Sequence, residues 1–418
     1  MMKKNVLYEV NVRQFTPKGD FKSFLPRIER IASLGVTTLW FMPIFPIGEI
    51  KRKGTLGSYY SIKDYKSVNK EFGTIRGFKS IVDKAHKCGM KVILDMALNH
   101  TSWDNVWMSE DEMLYAHDEN GEVVSPFDWT DTAKLDYNNP KLRAKVTDAM
   151  KFWITECGID GYRQDMAGLV PLDFWEESIA ELRAIKPNIY MLGEVEAPEY
   201  VKEGLFDACY GWETYHFIER IAAQQDTVEN FRGHLMAEND NYPAACSKML
   251  FISNHDENSW HDSEFKRFGE AVDCMRAFNF VYRGTPLIYS GEEAGCDKKI
   301  EFFEKDLIDW SKVKKFTPIF KELVNLKLTN EALGDTYETS TPYFINSSQP
   351  YNVMAFKRKH GDSVVIGIFN MTPYHIQPAF YDEDYQGKYN KLFHGEVELE
   401  SGVYDPFGPW EFKIYHKN

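Results

Sequence analysis

The sequence shows few signs of a membrane protein, a disulfide-bonded protein or a nucleic-acid-binding protein. No apolar run in its 418 residues approaches the ~20 residues needed to span a bilayer. The six cysteines are scattered and form no Cys-x-x-Cys pair, so we expect free, mostly buried thiols in a reducing compartment. A formal net charge of −14 argues against nucleic acid or an anionic membrane as a partner and suits a neutral substrate.

Signals of a metal centre or of secretion are equally scarce. The chain has no His-x-His pair and no acidic Asp-x-Asp-x-Asp-Gly loop, two patterns that are typical of metal sites. Residues 1–4 are Met-Met-Lys-Lys, but Glu9 and Arg13 follow before any apolar run of useful length. We therefore predict a cytoplasmic protein; a chain whose leader had been removed would look the same.

The chain does contain a regular alternation of strand-like and helix-like segments. Such alternation predicts parallel βαβ units, and eight of them predict a (β/α)₈ barrel. Strands are predicted at 6–10, 38–42, 91–96, 161–165, 189–194, 205–210, 249–256 and 286–290. Helices are predicted at 21–34, 140–156, 171–185, 265–282 and 318–331, around Phe78, and in the region before 238.

Two regions depart from this alternation and divide the chain into predicted domains. Residues 101–135 are rich in Asp, Trp, Asn and Gly without a clear period, which predicts an inserted loop subdomain. From 334 to 418 the pattern becomes β-hairpin-like and predicts a C-terminal antiparallel β-sandwich. The barrel itself is then predicted to comprise residues 1–100 and 136–333.

The segment Gly158-Ile159-Asp160-Gly161-Tyr162-Arg163-Gln164-Asp165 ends the predicted fourth barrel strand on a carboxylate. Side chains two apart in a strand point to the same face, so Arg163 and Asp165 project together. The guanidinium should keep the acid ionised, as a nucleophile requires. A purely structural Arg–Asp pair capping a barrel strand would have the same pattern.

Three more predicted strands end in comparable residues. The third carries Asp95 near its end and is followed by Asn99 and His100. The fifth ends at Glu194, and the seventh ends in Asn-His255-Asp256. Because the carboxyl ends of barrel strands meet at one mouth, where barrel enzymes place their sites, these side chains are expected to converge.

Four short motifs in chain order carry a resemblance to a known family. They are DxxxNH, GxRxD, a strand ending in Glu, and NHD, and together they resemble the signature regions of the α-amylase family of glycoside hydrolases, glycoside hydrolase family 13. The resemblance implies that Asp165 is the nucleophile of a retaining mechanism, Glu194 the general acid and base, and Asp256 a residue that binds sugar hydroxyls and stabilises the transition state. Neighbouring like charges should raise the pKa of Glu194 toward use as an acid.

The same resemblance implies several substrate-binding residues. His100 and His255 are expected to hydrogen-bond hydroxyls of the sugar in the reactive subsite, with Arg163 beside the nucleophile. Tyr60 is expected to stack under that sugar, although the altered sequence Ser-Tyr-Tyr-Ser at 58–61 makes Tyr59 a competing assignment. Asp95 is expected to be mainly structural. Trp40, Trp103, Trp107, Trp129 and Trp212 are further stacking candidates or core residues.

Two short segments are informative beside the four motifs: one departs from the family pattern, and the other resembles part of the family. Gly168 and Leu169 stand where many members carry a Lys-His pair that contacts the next sugar and ties down calcium. No cofactor and no metal site are therefore expected; calcium is compatible with Asn99 and the inserted loop, but its usual ligands are incomplete. Residues 134–136, Lys-Leu-Asp, resemble the Lys-Leu-Asn of neopullulanase-like and cyclodextrin-hydrolysing members.

The predicted function is a retaining α-glycoside hydrolase that acts on α-1,4-linked glucans or maltooligosaccharides. An α-glucan transglycosylase and a cyclodextrin- or pullulan-degrading enzyme of the same family are alternatives. A metal-dependent barrel hydrolase using Asp95, His100, His255 and Asp256 is a rival from another class. A non-catalytic sugar-binding protein is a further rival, weakened because all three carboxylates are present.

Overall fold

The computed structural model describes residues 4–336, 338, 340–382 and 385–418. Eight parallel strands form a closed barrel with the order β1-β10-β9-β8-β7-β6-β3-β2, which confirms the predicted fold class. The barrel strands are β1 (Leu7–Val10), β2 (Thr38–Phe41), β3 (Lys91–Ala97), β6 (Gly161–Asp165), β7 (Tyr190–Gly193), β8 (Ala208–Tyr210), β9 (Ser247–Leu250) and β10 (Thr285–Tyr289).

The contacts of the chain group into two compact units. One comprises residues 7–210 and 300–308, and it contains the barrel strands β1, β2, β3, β6, β7 and β8. The other comprises the described residues before 7 together with 211–299 and 309–418, and it contains β9, β10 and the C-terminal strands. The predicted domain boundaries differ from this grouping and stay a prediction.

The barrel strands are buried on both faces, as parallel strands covered by helices should be. All four residues of β1 and of β2 are buried, as are all five of β6. Within the first unit, β3 pairs with β6 so that Asp95 lies opposite Arg163 and Ala97 lies opposite Asp165. This register places the acid of the third strand beside the guanidinium of the fourth.

Helices follow the strands, and two of the longer helices begin at residues whose side chains cap them. The Thr74 side chain caps the helix over Ile75–Lys87, and the Asn139 side chain caps the helix that starts with Pro140. The α-helices are α1 (Val12–Phe15), α2 (Phe21–Phe24), α3 (Ile28–Ala32), α4 (Ile75–Lys87), α5 (Val106–Glu110), α6 (Pro140–Cys157), α7 (Leu172–Ile185), α8 (Trp212–Ala222), α9 (Val228–Asn241), α10 (Glu264–Phe268), α11 (Val272–Val281) and α12 (Val313–Thr329).

The structure divides two segments that the sequence predicted as continuous helices. The predicted helix over 21–34 is split into α2, a 3₁₀ turn over Leu25–Arg27 and α3, because Pro26 lacks the backbone N–H that a helix interior needs. The predicted helix over 265–282 is likewise α10, a 3₁₀ turn over Gly269–Ala271 and α11.

Two glycines are required where α6 turns into β6. Gly158 ends the helix with a left-handed φ of 73°, which favours glycine. At Gly161 a Cβ atom would lie 1.9 Å from the carbonyl oxygen of Tyr190, so only glycine permits the close packing of β6 against β7. These two positions fix the approach of the strand that carries Arg163 and Asp165.

The inserted region has little regular structure. Its short strands β4 (His100–Ser102) and β5 (Thr132–Lys134) form a two-stranded antiparallel sheet, and α5 lies between them. His100 therefore belongs to the first residue pair of this sheet, opposite Lys134.

The C-terminal strands form one antiparallel sheet with the order β11-β12-β13-β16-β14-β15. They are β11 (Tyr343–Phe344), β12 (Val353–His360), β13 (Ser363–Asn370), β14 (Gly387–Lys391), β15 (Glu396–Leu399) and β16 (Phe412–Lys417). Segments joined by isolated bridges, such as Ile376 to Phe407, contribute buried side chains to the same core as Ile366 and Ile368. Among the described residues the second layer of the predicted sandwich is thus made of such segments and not of a second regular sheet.

Two further features of the structure concern the cysteines and the length of the helices. All six cysteines are free and five of them are buried. In the part of the chain that the structure describes, every helix is too short or too polar to cross a membrane.

Candidate active site

Arg163 is the centre of a buried cluster in the first unit. Its side chain is fully buried, and its Nη1 lies 3.0 Å from Asp95 Oδ1 and 2.9 Å from Asp165 Oδ1. Its Nη2 lies 2.8 Å from Glu194 Oε2 and forms an ion pair with that carboxylate. One guanidinium therefore holds the predicted nucleophile and the predicted acid side by side.

The aromatic residues around Arg163 complete its surroundings. The guanidinium lies over the rings of Trp40, Tyr60 and Tyr210 at 5.3, 5.7 and 5.5 Å, and its Nε donates to the Tyr210 hydroxyl at 3.0 Å. Burial alone would lower the pKa of Arg163, but the charges of Asp95 and Glu194 outweigh it and raise that pKa well above its usual value. Arg163 therefore stays positively charged at any working pH, and its charge faces the surrounding carboxylates throughout.

Asp95 is completely buried and makes contacts that hold the cluster together. Its Oδ2 accepts hydrogen bonds from Trp40 Nε1 and from the Tyr60 hydroxyl, both at 3.0 Å, while Oδ1 faces Arg163. Both oxygens are thus occupied by protein groups, which suits the structural role expected of this residue.

Asp165 and Glu194 are the partly open members of the cluster. Each carboxylate side chain is 11% exposed, whereas Asp95 and Arg163 are at 0%. Glu194 follows β7, and its N–H continues the ladder by donating to the Gln164 carbonyl at 3.0 Å. The two acids therefore come from the ends of neighbouring strands, and each keeps a small part of its side chain exposed.

The backbone immediately after Asp165 positions Glu194. Met166 has a φ of 45°, a left-handed conformation that costs a residue with a side chain roughly 1–3 kcal/mol. Its N–H donates to Glu194 Oε2 at 2.8 Å. The expectation that like charges dominate the surroundings of Glu194 was therefore incomplete, because this oxygen contacts a cation and a backbone donor.

Of the two candidate tyrosines, Tyr60 joins this cluster. Its hydroxyl binds Asp95, and its ring stacks on Phe302 with an interplanar angle of 10°. Tyr59 instead donates to Asn11 Oδ1 and packs under Arg13, and burial raises its pKa to about 12.

His100 lies under an aromatic cover at the start of β4. It is 3% exposed, and the ring of Trp129 meets it edge to face at 5.4 Å. Burial lowers the pKa of His100 to about 4, and the nearby charge of Asp131 offsets only part of that effect. The imidazole is therefore neutral at pH 7 and retains one donor and one acceptor nitrogen.

Among the other aromatic candidates, Trp40 and Trp107 are buried and belong to the core. The indole of Trp103 donates to the Thr130 carbonyl and carries the Lys51 ammonium over its face at 3.4 Å. Trp129 is half-buried between His100 and Phe127.

His255 and Asp256 lie in the second unit, in the loop that follows β9. His255 is buried, and its Nε2 lies 3.2 Å from Asp256 Oδ2. Asp256 Oδ1 accepts from the indole of Trp260, which is 48% exposed. That these two residues act together with Asp165 and Glu194 stays a prediction.

Sequence reasoning missed several residues that the geometry brings forward. Met166 binds Glu194 through its backbone N–H, the Tyr210 hydroxyl accepts from Arg163, and the Trp260 indole donates to Asp256. Trp40, which is predicted as a stacking or core residue, is buried and donates from its indole to Asp95. Trp40 is the last residue but one of β2, and Tyr210 is the last residue of β8. Both aromatic residues therefore lie at strand ends, as the acids do.

The family model for the alpha amylase catalytic domain matches residues 7–122 and 116–321. The chain belongs to the alpha-amylase family. Alpha-amylase 3 from Dictyoglomus thermophilum is 28% identical over 354 residues, which are 74% of this chain and 68% of that protein. A cyclomaltodextrinase from a Bacillus species is 26% identical over 84% of this chain and 65% of its own length, so the chain spans about two thirds of these relatives.

The fold is shared with solved members of the alpha-amylase family. A noncanonic maltogenic alpha-amylase from Thermotoga neapolitana superposes with a TM-score of 0.90, at 26% identity, over 99% of this chain and 98% of that one. Membership in this family makes the protein a glycoside hydrolase.

Residues 168 and 169 are the positions where the family resemblance implies a contact with calcium. Gly168 and Leu169 supply no side-chain ligand atom, and Leu169 is 38% exposed. Across the described residues, no group of three or more His, Cys, Asp or Glu side chains is placed to hold a metal ion.

Proposed function

We propose that this protein is a retaining α-glycoside hydrolase that cleaves α-1,4-linked glucans or maltooligosaccharides through a covalent glycosyl-enzyme intermediate. The observation that carries the proposal is the shared guanidinium, since Arg163 contacts both Asp165 and Glu194 within 3 Å. Retaining glycosidases need two carboxyl groups about 5–5.5 Å apart, whereas inverting enzymes need roughly 6.5–9.5 Å to admit a water. Two acids bound to one guanidinium suit the closer spacing.

In the first step, a carboxylate oxygen of Asp165 attacks the anomeric carbon of the sugar. Glu194 gives its proton to the glycosidic oxygen as the bond between that oxygen and the anomeric carbon breaks. Oε2 of Glu194 accepts from the Met166 N–H and lies beside the guanidinium, and these contacts orient the carboxyl group for the transfer. Arg163 keeps Asp165 charged and oriented for attack.

In the second step, the Glu194 carboxylate takes a proton from water as the water oxygen attacks the anomeric carbon. The bond to Asp165 breaks, and the acid form of Glu194 is restored. We assign Asp256 and His255 to hydrogen bonds with sugar hydroxyls that strengthen in the transition state. Neutral His100 contributes a further hydroxyl contact, and the ring of Tyr60 lies under the sugar.

The favoured alternative keeps the same chemistry and changes the substrate or the acceptor. The sequence Lys-Leu-Asp at 134–136 and the relative named cyclomaltodextrinase favour a cyclodextrin- or pullulan-degrading enzyme. A transglycosylase would use a sugar hydroxyl in place of water in the second step.

The test is product analysis from maltoheptaose, starch, pullulan and cyclodextrin as parallel substrates. The proposal predicts shorter maltooligosaccharides from maltoheptaose and starch. Faster turnover of cyclodextrin or pullulan would favour the alternative, and products longer than the starting maltoheptaose would identify transglycosylation. No product from any of the four would contradict the proposed function.

We also propose that activity needs no calcium, because Leu169 replaces the usual histidine ligand. Exhaustive chelation should leave turnover and the unfolding temperature unchanged within error. A large loss that calcium alone restores would show a site built from the inserted region.

A cytoplasmic location, with a glucan and neither nucleic acid nor membrane as partner, completes the proposal. The six free thiols and the acidic charge support it. Fractionation of the source cells tests the location, since activity confined to the medium would contradict it.

A further inference from the structure

The turn over residues 126–129 holds an aromatic residue in an unfavourable backbone conformation. The Trp129 N–H donates to the Pro126 carbonyl at 3.2 Å, which places Phe127 second in a four-residue turn. Its φ is 52°, a left-handed value that suits Gly, Asn or Asp at this position. A bulky residue in this conformation strains the backbone.

Packing does not offset that strain. The Phe127 side chain is 70% exposed, the highest value among the large exposed hydrophobic residues that the structure describes. An apolar ring that stays in water gains little from the hydrophobic effect. Strain and exposure together mark a position whose side chain is held outward at a cost to stability.

Phe127 is the outer end of a row of three rings. It meets Trp129 edge to face at 5.1 Å and 64°, and Trp129 meets His100 at 5.4 Å and 65°. The Trp129 carbonyl accepts from Thr132 N at 3.0 Å and from Thr132 Oγ1 at 2.8 Å, which holds the backbone that carries the middle ring. The row leads from the buried histidine to the surface in steps of about 5 Å.

We propose that Phe127 is a stacking platform for a glucosyl unit of a linear α-glucan, at a distance from the bond that is cleaved. The inference rests on the proposed function, which places a sugar at His100, and it extends substrate contact along the ring row. An exposed aromatic face offers a sugar ring a flat apolar surface, while Trp129 holds that face in position. Only substrates with several glucose units reach it.

Trp103 is another aromatic residue of the inserted region, and its contacts indicate a different function. One face of its indole is covered by the Lys51 ammonium, and its Nε1 is bonded to the Thr130 carbonyl. These contacts give Trp103 a structural function in joining the segment around residue 51 to the inserted region.

The chain supplies a matched control in the turn between β14 and β15. Phe393 is also left-handed, with a φ of 66°, and is 52% exposed. Within the described part of the chain, no aromatic ring contact of Phe393 is found that resembles the row at Phe127. It reproduces the strain and the exposure without the link to His100.

The experiment compares Phe127→Ala, Phe127→Trp and Phe393→Ala on maltoheptaose and on α-maltosyl fluoride. Loss of one stacked ring predicts a KM for maltoheptaose about 2- to 10-fold higher in Phe127→Ala, with kcat and the fluoride kinetics unchanged. Phe127→Trp should restore the KM, and Phe393→Ala should match the wild type on both substrates.

A fourth variant, Phe127→Gly, separates binding from folding. Glycine relieves the left-handed strain, so its unfolding temperature should equal or exceed that of the wild type while KM rises as in Phe127→Ala. If Phe127 binds substrate, the variant should be as stable as the wild type or more stable, but it should bind maltoheptaose more weakly. If Phe127 has a structural function, the unfolding temperature should fall.

An unchanged KM for maltoheptaose in Phe127→Ala would overturn the inference while leaving the proposed function intact. An equal loss on the fluoride would also overturn it, since the ring would then act through the reactive subsite. A wild-type enzyme that does not turn over maltoheptaose would overturn the proposed function and this inference with it.

Discussion

Two fully buried arginines, one in each compact unit, are surrounded by carboxylates in different ways. Arg163 contacts Asp95, Asp165 and Glu194 at 2.8–3.0 Å. Arg276 binds the half-exposed Asp273 closely, but it lies 3.7 Å from Glu264 and 3.9 Å from Glu292. The first cluster has direct charge contacts and two partly open acids, and the second has loose contacts to acids that are 2–3% exposed.

The difference appears in the protonation of the second cluster. Burial raises the pKa of Glu264, and burial together with the charge of Glu264 raises the pKa of Glu292 well above its usual value. Arg276 lowers both only in part. An arginine among acids is therefore not by itself a catalytic signature; direct contact and access to a substrate are also needed.

The largest expected effect comes from removing the nucleophile. Asp165→Asn should lower kcat on the order of 10⁴-fold or more on maltooligosaccharides and on glycosyl fluorides, because no covalent intermediate forms. Glu264→Gln is the matched control, since it neutralises a buried acid beside the other arginine. It should retain wild-type turnover, and equal losses in both variants would remove the distinction between the clusters.

Glu194→Gln should lose roughly 10²–10⁴-fold on maltooligosaccharides, because the amide keeps the shape of the side chain but donates no catalytic proton. A fluoride leaving group needs that proton far less. The first step with α-maltosyl fluoride, measured by rapid fluoride release, should therefore be much less affected. If both substrates lost equally in this step, Glu194 would be a binding residue and the acid would be sought at Glu196.

The two arginines should differ in what their removal costs. Arg163→Met removes the positive charge that balances the buried Asp95 carboxylate and its acidic neighbours. The free energy of unfolding should therefore fall by about 3–5 kcal/mol. Arg276→Met should cost less, since Glu264 and Glu292 can take up protons in the folded state. Urea midpoints at pH 7 provide the measurement, and a larger loss in Arg276→Met would reverse the comparison.

The smallest effect is a pH-dependent gain in stability. A raised folded-state pKa means that the native protein binds the Glu292 proton more tightly than the unfolded chain, so stability falls as pH rises above the usual glutamate pKa. Glu292→Gln stays neutral and should be more stable than the wild type by roughly 1–3 kcal/mol at pH 8. The gap should shrink toward pH 4.5, and a variant that is less stable at pH 8 would contradict the account.

The barrel and its strand-end acids were predictable because both depend on local order in the sequence. Strand periodicity places Asp165 and Glu194 at strand ends without knowledge of pairing, and the resemblance of their motifs to the alpha-amylase family implies their roles. The contacts of Trp40 with Asp95 and of Tyr210 with Arg163 depend on strand register and rotamers, which the sequence does not encode locally.

Other features could not be predicted because they depend on backbone conformation or on the tertiary fold. Residues 126–129 read Pro-Phe-Asp-Trp, and nothing in that run indicates the positive φ that turns Phe127 outward. Met166 similarly gives no sign that its N–H faces Glu194. The cluster around Arg276 joins α10, α11 and the 3₁₀ turn over Glu292–Ala294, and only the tertiary fold brings these segments together.

The most direct test of the central claim is the anomeric configuration of the first product released from a maltooligosaccharide. Proton NMR recorded within the first turnovers, before mutarotation, distinguishes the two anomers. Attack by Asp165 followed by attack of water inverts the anomeric carbon twice, so the account predicts the α-anomer. The β-anomer would mean a single direct displacement by water, and it would contradict the assignment of Asp165 as nucleophile.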